Sequence, residues 1–320
     1  MKNILKELLK YPAVTGCEKN GGVSQAIYRY VNAVPGARAK IDAVGNVIAT
    51  KGSGKRKIMW EAHLDEVGFL VSKIISSKLL QSLPIGGVDA KKVTRSKVVI
   101  KTRKSEVVGV VERDFRIRVK STQGVRLGDW IYFARNIVIQ NELITSPALD
   151  NKVGCAAVLE ALRQIKVPQG WQVVVLFSAR HEVGTRVGLG DLVYRFKPKL
   201  ILVCDAAYAS PDGKKNWCVP KIGGGPAVQL LGKDFVVSKD MVSMIINAAR
   251  REGIPYQLEI PDQDYGGTDA SKIPNNYPFA VINVPVSRQH TSISRASILD
   301  TERCARLIAA FSGHMFRDRR

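Results

Sequence analysis

The chain has 320 residues, of which 45% are hydrophobic and 24% are charged, and its formal net charge at pH 7 is +21. This composition is typical of a globular protein with a sizeable core and excludes a disordered or fibrous chain. The five cysteines are widely spaced without a Cys-x-x-Cys pair, and no apolar run approaches the roughly 20 residues of a spanning helix, so we expect a cytoplasmic protein and no membrane segment.

The first 69 residues mix helical and strand patterns. Apolar residues recur at helical spacing over residues 23–34, which predicts a helix. Two β-rich runs follow at residues 41–49 and 57–61, separated by a turn-forming Gly-Ser-Gly at residues 52–54.

A different pattern occupies residues 70–146. Many short β-rich runs, such as residues 107–111 and 117–120, are punctuated by glycines, and this predicts a small all-β unit. The segment is strongly basic, with 15 Lys and Arg against 6 Asp and Glu. We therefore predict a basic β-rich insertion at residues 70–146.

After Pro147, apolar strands and helices alternate. Helices are predicted at residues 153–165 and 238–250, with a final helix that begins at Asp300 as its N-cap. The predicted strands cover residues 171–177, 200–204, 256–260 and 279–283. Such alternation indicates an α/β domain with a largely parallel sheet and helices on its faces. Residues 1–69 and 147–320 would form this domain, and the insertion would interrupt it.

Three of the four histidines follow apolar strands, where ligands of open α/β sheets collect. With the acidic residues at the same strand exits, the candidate set is His63, Asp65, Asp150, His181, Glu182, Asp205 and His290. Two neutral imidazoles and three carboxylates suit a pair of borderline divalent ions that share one bridging carboxylate. Asp65 is close enough in sequence to orient His63. Each residue alone has a plainer interpretation as a hydrogen-bonded turn or cap, so the metal hypothesis depends on the whole set.

Several segments resemble, in order, the motifs of the tetrahedral (glutamyl-type) aminopeptidase family, some members of which are labelled cellulase M or endoglucanase. They read AHLDEVGF at residues 62–69, ALDNKVGC at 148–155, EVG at 182–184, GPA at 225–227, GGTDA at 266–270 and RQHT at 288–291, together with Asp205. The resemblance covers nearly the whole chain. It implies a zinc-peptidase-like, three-layer α/β domain with a small β-barrel-like insertion that makes oligomer contacts.

The same resemblance implies a dinuclear metal site, with zinc or cobalt as the ion, and a peptide substrate. Carried over position by position, one ion would be held by His63, Asp150 and Asp205, and the other by Asp150, Glu182 and His290. Asp150 would bridge the two ions and Asp65 would orient His63. The segment 266–270 would lie along the substrate cleft. A homo-oligomer, as a dimer or a larger assembly, is also implied.

The chain departs from the family at position 181, where His181 replaces the first glutamate of a Glu-Glu pair, the general base. A histidine beside two cations is pushed toward its neutral form and can still accept a proton. It could instead bind a metal or donate a hydrogen bond, and the water would then lose its proton acceptor. The short basic insertion is a second departure, which suits either a reduced assembly or a solvated face without a partner.

Three functions are compatible with these observations. The first is a dimetal-dependent aminopeptidase that removes N-terminal residues from peptides by a metal-activated water. The second is a catalytically impaired relative that keeps its metals and acts as a binding or assembly component, because of His181. The third uses the basic insertion to bind acidic partners or nucleic acid, and we rank it last because no aromatic-interleaved RNA-binding motif is present.

Overall fold

The computed structural model describes residues 1–184, 188–210, 219–261 and 267–317. These residues form a twelve-stranded sheet and a separate six-stranded barrel, together with helices and one short hairpin. The helices of the described residues are α1 (Lys2–Leu8), α2 (Glu18–Gly21), α3 (Val23–Asn32), α4 (Ala90–Val93), α5 (Leu149–Gln164), α6 (Leu189–Phe196), α7 (Lys239–Arg251) and α8 (Ile298–Arg317). Short 3-10 turns lie at Arg113–Phe115, His181–Val183 and Asp269–Lys272. None of the described helices is both long and apolar enough to span a bilayer.

The strands divide between the large sheet, the barrel and one short hairpin. Those of the large sheet are β1 (Ala37–Ile41), β2 (Val47–Gly52), β3 (Arg56–His63), β10 (Val138–Gln140), β11 (Leu143–Thr145), β12 (Trp171–Ser178), β13 (Leu200–Val203), β14 (Ala206–Tyr208), β15 (Ala227–Gln229), β18 (Gln257–Glu259), β19 (Phe279–Ser287) and β20 (Arg295–Ser297). Those of the barrel are β4 (Gly68–Ser76), β5 (Leu79–Ile85), β6 (Lys97–Lys101), β7 (Glu106–Val111), β8 (Arg116–Val119) and β9 (Trp130–Phe133). The hairpin pairs β16 (Leu231–Gly232) with β17 (Phe235–Val236).

Four parallel strands form the centre of the large sheet, in the order β12, β3, β13 and β19. Ser178 at the end of β12 lies opposite His63 at the end of β3, and Val203 at the end of β13 lies opposite Glu61. Their carboxyl ends therefore meet at one edge. Antiparallel strands flank this centre on both sides. The predicted fold class, an α/β domain with a largely parallel sheet and a barrel-like insertion, is confirmed.

The sheet is covered by helices on both faces, which makes three layers. On β12, Val173, Val175 and Phe177 pack into the core that α5 and α8 share, whereas Val174 and Leu176 pack into the core on the α6 side. Successive side chains of a strand point to opposite faces, so a strand that is buried on both faces reads as a continuous apolar run.

The barrel closes in the order β4-β5-β8-β7-β6-β9 around its own apolar core. Glu66, just before β4, accepts hydrogen bonds from Arg135, which follows β9, and from the buried Lys152 on α5 at 3.5 Å. The Lys152 Nζ also donates to the Leu64 carbonyl at 2.6 Å. These contacts tie both connections of the barrel to the large domain. The exact boundaries of the insertion, residues 70 and 146, stay a prediction.

Two predicted elements were wrong in detail. Residues 41–49 are not one strand: Ile41 ends β1, residues 42–46 form a hairpin turn, and β2 begins at Val47. The turn forms because the Asp42 carboxylate accepts hydrogen bonds from the backbone N–H groups of Val44, Gly45 and Asn46. The last helix begins at Ile298, so Asp300 is not its N-cap. Instead the Asp300 carboxylate accepts from the backbone N–H groups of Gly223 and Gly225.

A buried polar cluster supports the residue that follows β13. The Asn283 Oδ1 accepts from the backbone N–H of Asp205 at 3.0 Å, and its Nδ2 donates to Gln229 Oε1 at 2.8 Å and to Glu259 Oε2 at 2.9 Å. Burial raises the pKa of Glu259 to about 7, and the charge of Asp205 adds to this effect, while the hydrogen bond from Asn283 opposes it. Glu259 therefore keeps its proton in the folded state over a pH range where the unfolded chain has lost it.

This shift makes stability depend on pH. Between pH 4.5, the ordinary pKa of a glutamate, and about pH 7, the free energy of unfolding is expected to fall as the pH rises, by about 3 kcal/mol for a shift of this size. Glu259→Gln should remove that part of the decline, whereas Glu252→Gln, on the exposed end of α7, should not. Urea unfolding at pH 5 and pH 8 measures this. An equal decline in both variants would contradict the assignment.

Candidate active site

At the carboxyl ends of the central strands, His63 lies between the carboxylates of Asp150 and Asp205. His63 is the last residue of β3, and Asp205 follows the end of β13 on the neighbouring strand. The His63 Nε2 lies 3.2 Å from Asp150 Oδ1 and 3.2 Å from Asp205 Oδ1. All three side chains are largely buried. They form the first of two groups of nitrogen and oxygen atoms.

A second group forms around His290, which follows β19. Its Nε2 lies 3.2 Å from Asp150 Oδ2 and 3.4 Å from Glu182 Oε2. Asp150 thus presents one oxygen to His63 and the other to His290, and it stands between the two groups. Five of the sequence-predicted residues therefore come together in the pairing that the family resemblance implied.

The second ring nitrogen of His290 is held by the barrel. Its Nδ1 lies 2.7 Å from the carbonyl oxygen of Gly87, in the loop between β5 and α4, and a carbonyl can only accept. The Nδ1 therefore donates to this carbonyl, which leaves Nε2 as the ring atom that would bind a cation beside Asp150 and Glu182. A ligating histidine usually has this kind of partner on its other nitrogen. The inserted barrel thus takes part in building the site.

Asp65 is fully buried and accepts three hydrogen bonds. Thr15 Oγ1 donates to it at 2.6 Å, and the backbone N–H groups of His181 and Glu182 donate at 3.1 and 3.2 Å. Its distance to His63 Nδ1, 3.5 Å, is long for a hydrogen bond. In this structure, Asp65 therefore holds the turn that carries His181 and Glu182 more directly than it holds the His63 ring.

The carboxylates dominate the electrostatics of the site. Burial alone would raise the pKa of Asp150, but its hydrogen bonds with His290 and His63 and their charges hold it well below the usual range. Burial would lower the pKa of His63 and of His290, but the neighbouring carboxylates raise both well above the usual value. A buried site with this surplus of negative charge attracts cations.

The residues fit the binding of divalent cations. Within the described residues, His63, Asp150 and Glu182 offer ligand atoms that lie within 4.8 Å of one another, as do His63, His181 and Asp205. Glu182 Oε1 and His63 Nδ1 are buried without a hydrogen-bond partner. Imidazole nitrogens with carboxylate oxygens are the donors that zinc and cobalt accept. An oxygen that is buried without a proton donor is stabilised by a cation.

His181 lies beside this set and differs from it in geometry. Its ring stacks on the His63 ring with 4.0 Å between centroids and 14° between planes. A ring nitrogen binds through a lone pair in the ring plane, so two nearly parallel stacked rings direct their lone pairs along separate lines. We therefore favour the pairing of His63 with Asp150 and Asp205, and not a shared ion for His63 and His181, although their atoms are close enough for one.

A buried chain of hydrogen bonds lies behind His181. The His181 Nδ1 is 2.7 Å from Asp269 Oδ1, and Ser178 Oγ lies 3.1 Å from Asp269 Oδ2 and 2.6 Å from Glu61 Oε1. Burial would lower the pKa of His181, and the charge of His63 would lower it further, but Asp269 and Asp205 raise it to about 10. Burial would raise the pKa of Asp269, but His181 lowers it to about 2. Burial and the charge of Asp269 raise the pKa of Glu61 well above its usual value.

A cavity of about 280 Å³ lies in front of His181 and four of the candidate ligands. It is lined by Asp150, His181, Glu182, Asp205 and His290, by Ala206, Tyr208, Gly267 and Gln289 of the large domain, and by Gly87, Asp89 and Lys92 of the barrel side. Of the segment 266–270, which the resemblance placed along the cleft, Gly267 lines the cavity, and Gly266 lies outside the described residues.

Sequence reasoning missed the residues that hold the candidate ligands in place. Glu61 lies inside β3 and Ser178 ends β12; a buried polar residue within or directly after an apolar run is the signal that could have drawn attention to them. Asp269 belongs to one of the family-like motifs, but no role for it follows from the sequence. No sequence signal points to the Gly87 carbonyl, because backbone atoms are the same in every residue.

Gly86 provides a test of the contact between the barrel and the site. Its φ is +84°, and a Cβ there would lie 2.7 Å from Val67 Cγ1 and 3.3 Å from Glu182 Oε2. We expect Gly86→Ala to displace Glu182 and to lower zinc affinity on the order of 10-fold, as loss of a ligand's supporting contacts does. Competition with a chelating dye measures the affinity.

The matched control is Gly124→Ala, also in the inserted segment. Gly124 has a φ of +83°, and a Cβ added there would meet nothing within 4 Å. Both substitutions therefore carry the same backbone strain, about 1–2 kcal/mol, but only one presses on Glu182. Equal zinc affinities in the two variants would show that the barrel contact does not support the metal site.

Comparisons with known proteins agree with this architecture. The family model described as M42 glutamyl aminopeptidase matches residues 45–121 and 114–307. A putative aminopeptidase of Acetivibrio thermocellus is 27% identical over 96% of this chain and 97% of its own length. Among solved structures, the aminopeptidase APDkam598 of Desulfurococcus kamchatkensis has a TM-score of 0.87 at 26% identity, covering 97% of this chain and 93% of its own.

A further solved structure shows the fold at lower identity. It is that of the Pyrococcus horikoshii TET1 peptidase, which matches with a TM-score of 0.84 at 23% identity and covers 97% of this chain and 98% of its own. That peptidase can assemble into a tetrahedron or a large octahedral shell.

Proposed function

Because the chain belongs to the M42 glutamyl aminopeptidase family, a family of metal-dependent hydrolases, we propose that it removes N-terminal residues from peptides with two divalent cations and with His181 as proton acceptor. The two cations would be held by His63, Asp150 and Asp205 and by Asp150, Glu182 and His290. Zinc or cobalt suits this donor set.

One observation carries the proposal. The two oxygens of Asp150 lie at equal distances, 3.2 Å, from the Nε2 atoms of two different histidines. A carboxylate so placed can bridge ions about 3.5–4 Å apart, which is the spacing of two-metal hydrolytic sites. A single structural ion would need no carboxylate shared in this way.

Bound cations would supply an activated water and polarise the carbonyl of the scissile bond. The chain's own residues do the rest. Because the charge of the bound cations would oppose protonation of His181, its Nε2 would accept the proton of the attacking water and later return it to the leaving amine nitrogen, as a general base and then a general acid do. Asp65 fixes the turn that carries His181 and Glu182. The Gly87 carbonyl accepts from His290 Nδ1 and so directs Nε2 to the site of the second cation.

We also propose that the chain assembles into a homo-oligomer through the barrel. Apolar side chains are exposed on it, with 66% exposure at Leu127 and 60% at Val108, although the segment is basic. The Pyrococcus horikoshii relative can form large shells. Light scattering of the purified chain decides between a monomer and an oligomer.

A cytoplasmic location stays a prediction, which the described free cysteines Cys17, Cys155, Cys204 and Cys304 support.

The test is a direct assay of the zinc- or cobalt-loaded protein. A panel of peptides with free N-termini should be hydrolysed from that end, an N-acetylated control should not, and a chelator should abolish turnover. His181→Glu should be assayed beside the wild type. This variant places a carboxylate acceptor where the chain has an imidazole.

The outcomes separate the two interpretations of His181. Turnover of unblocked peptides by the wild type would support His181 as proton acceptor. If the wild type hydrolyses no peptide and His181→Glu does, the chain has a metal site without a general base. It would then act as a binding or assembly component.

A further inference from the structure

Asp269 lies behind His181, on the side away from the cavity. Its side chain is 2% exposed, and its Oδ1 is 2.7 Å from His181 Nδ1. The other oxygen, Oδ2, lies 3.1 Å from the hydroxyl of Ser178 at the end of β12. Both oxygens of the carboxylate are therefore engaged, and Asp269 is itself held in place by the central sheet.

The His181 ring is fixed from several sides. Asp269 contacts its Nδ1 edge, the His63 ring stacks on its face, and Asp65 accepts a hydrogen bond from its backbone N–H. Since Nδ1 faces Asp269, Nε2 lies on the opposite edge of the ring, and His181 is part of the cavity wall. The ring therefore has little freedom to flip and bring Nδ1 to the cavity in place of Nε2.

We propose that Asp269 is the positioning residue of His181, which keeps the proton on Nδ1 and the lone pair on Nε2 at the cavity. The inference rests on the proposed function, in which Nε2 accepts a proton from water. A carboxylate base needs no such partner because each of its oxygens can accept a proton. A neutral imidazole accepts at only one nitrogen, and the hydrogen bond at the other decides which one.

The first arm of the test is NMR of the zinc-loaded protein with ¹⁵N-labelled histidine. The chain has only four histidines, and the signals of His181 are identified by their loss in His181→Gln. We expect Nδ1 with a proton and Nε2 without one. In Asp269→Asn the side-chain amide can donate to Nδ1, so the other tautomer should appear. Asp240→Asn, the same substitution on the exposed first turn of α7, should leave the spectrum unchanged.

The second arm compares kinetics in two backgrounds. Asp269→Asn should lower kcat by about 10–100-fold, the usual cost of losing such a partner, while KM and bound zinc stay unchanged. In the His181→Glu background the same substitution should change kcat by no more than about twofold, because glutamate has no tautomer to fix. A purely structural role of Asp269 would lower kcat equally in both backgrounds.

The results are decisive in each direction. A proton on Nε2 of the wild type, or a zinc-bound Nε2, would overturn the inference even if Asp269→Asn failed to fold. The inference would also be overturned if Asp269→Asn left the His181 tautomer unchanged and lowered kcat equally in the wild-type and His181→Glu backgrounds. If the wild type has the expected tautomer and hydrolyses no peptide, the proposed function fails while the positioning role of Asp269 stands.

Discussion

Asp150→Asn is expected to lower kcat/KM by about 10⁴-fold or more and to remove bound metal at both positions. One carboxylate oxygen becomes an amide NH₂, which has no lone pair to give, and the bridging negative charge is lost. Each cation supplies several kcal/mol of transition-state stabilisation, and every 1.36 kcal/mol is a factor of ten in rate. Peptide kinetics and elemental analysis of the purified variant measure the two effects.

The matched control is Asp89→Asn, in the wall of the same cavity. Asp89 accepts a hydrogen bond from the backbone N–H of Lys91 at the start of α4 and belongs to neither group of candidate ligands. This control should retain both equivalents of metal. Two retained equivalents in Asp150→Asn would show that Asp150 does not bridge the ions, whatever the activity.

His181→Ala should lower kcat by a factor of about 10²–10⁴, the usual contribution of a general base, without loss of metal. The physical reason is that the His63 and His181 rings stack and do not converge on one ion, so removal of His181 leaves the ligand set intact. Measurement of bound zinc beside kcat separates the two roles. Loss of one equivalent in His181→Ala would identify His181 as a ligand.

A second comparison uses His181→Glu. If the site serves hydrolysis with either proton acceptor, this variant should retain much more activity than His181→Ala and the same metal content. If kcat falls equally in His181→Glu and His181→Ala, a carboxylate at position 181 cannot replace the imidazole that is hydrogen-bonded to Asp269.

The sequence specified the candidate ligands because of where strands end. His63, Glu182, Asp205 and His290 each follow an apolar run, and parallel strands deliver their carboxyl ends to one edge of a sheet. Alternation of helices and strands was sufficient to predict that sheet. The barrel was predicted from its short glycine-punctuated runs for the same reason: burial on one or two faces leaves a pattern in the order of residues.

Local chemistry was harder to assign to the right partner. The Asp42 turn has a local cause, since the Asp42 carboxylate accepts from the backbone N–H groups of residues 44–46, and its sequence could have been interpreted as a turn. Asp300 is different. It stands where an N-cap is expected, but its carboxylate binds Gly223 and Gly225, which lie more than 70 residues away, and Ser297 Oγ accepts from the Asp300 backbone N–H instead.

The sequence by itself determined the fold class, the family and which residue types could hold metal, because hydrophobic periodicity and ordered motifs are properties of the linear chain. Only the tertiary structure decided that Asp150 stands between two histidines, that the barrel carbonyl of Gly87 orients His290, and that Asp269 lies behind His181. Hydrogen bonds act over about 3 Å, and residues 88 or 203 positions apart along the chain are brought to that distance by packing of the whole sheet and barrel.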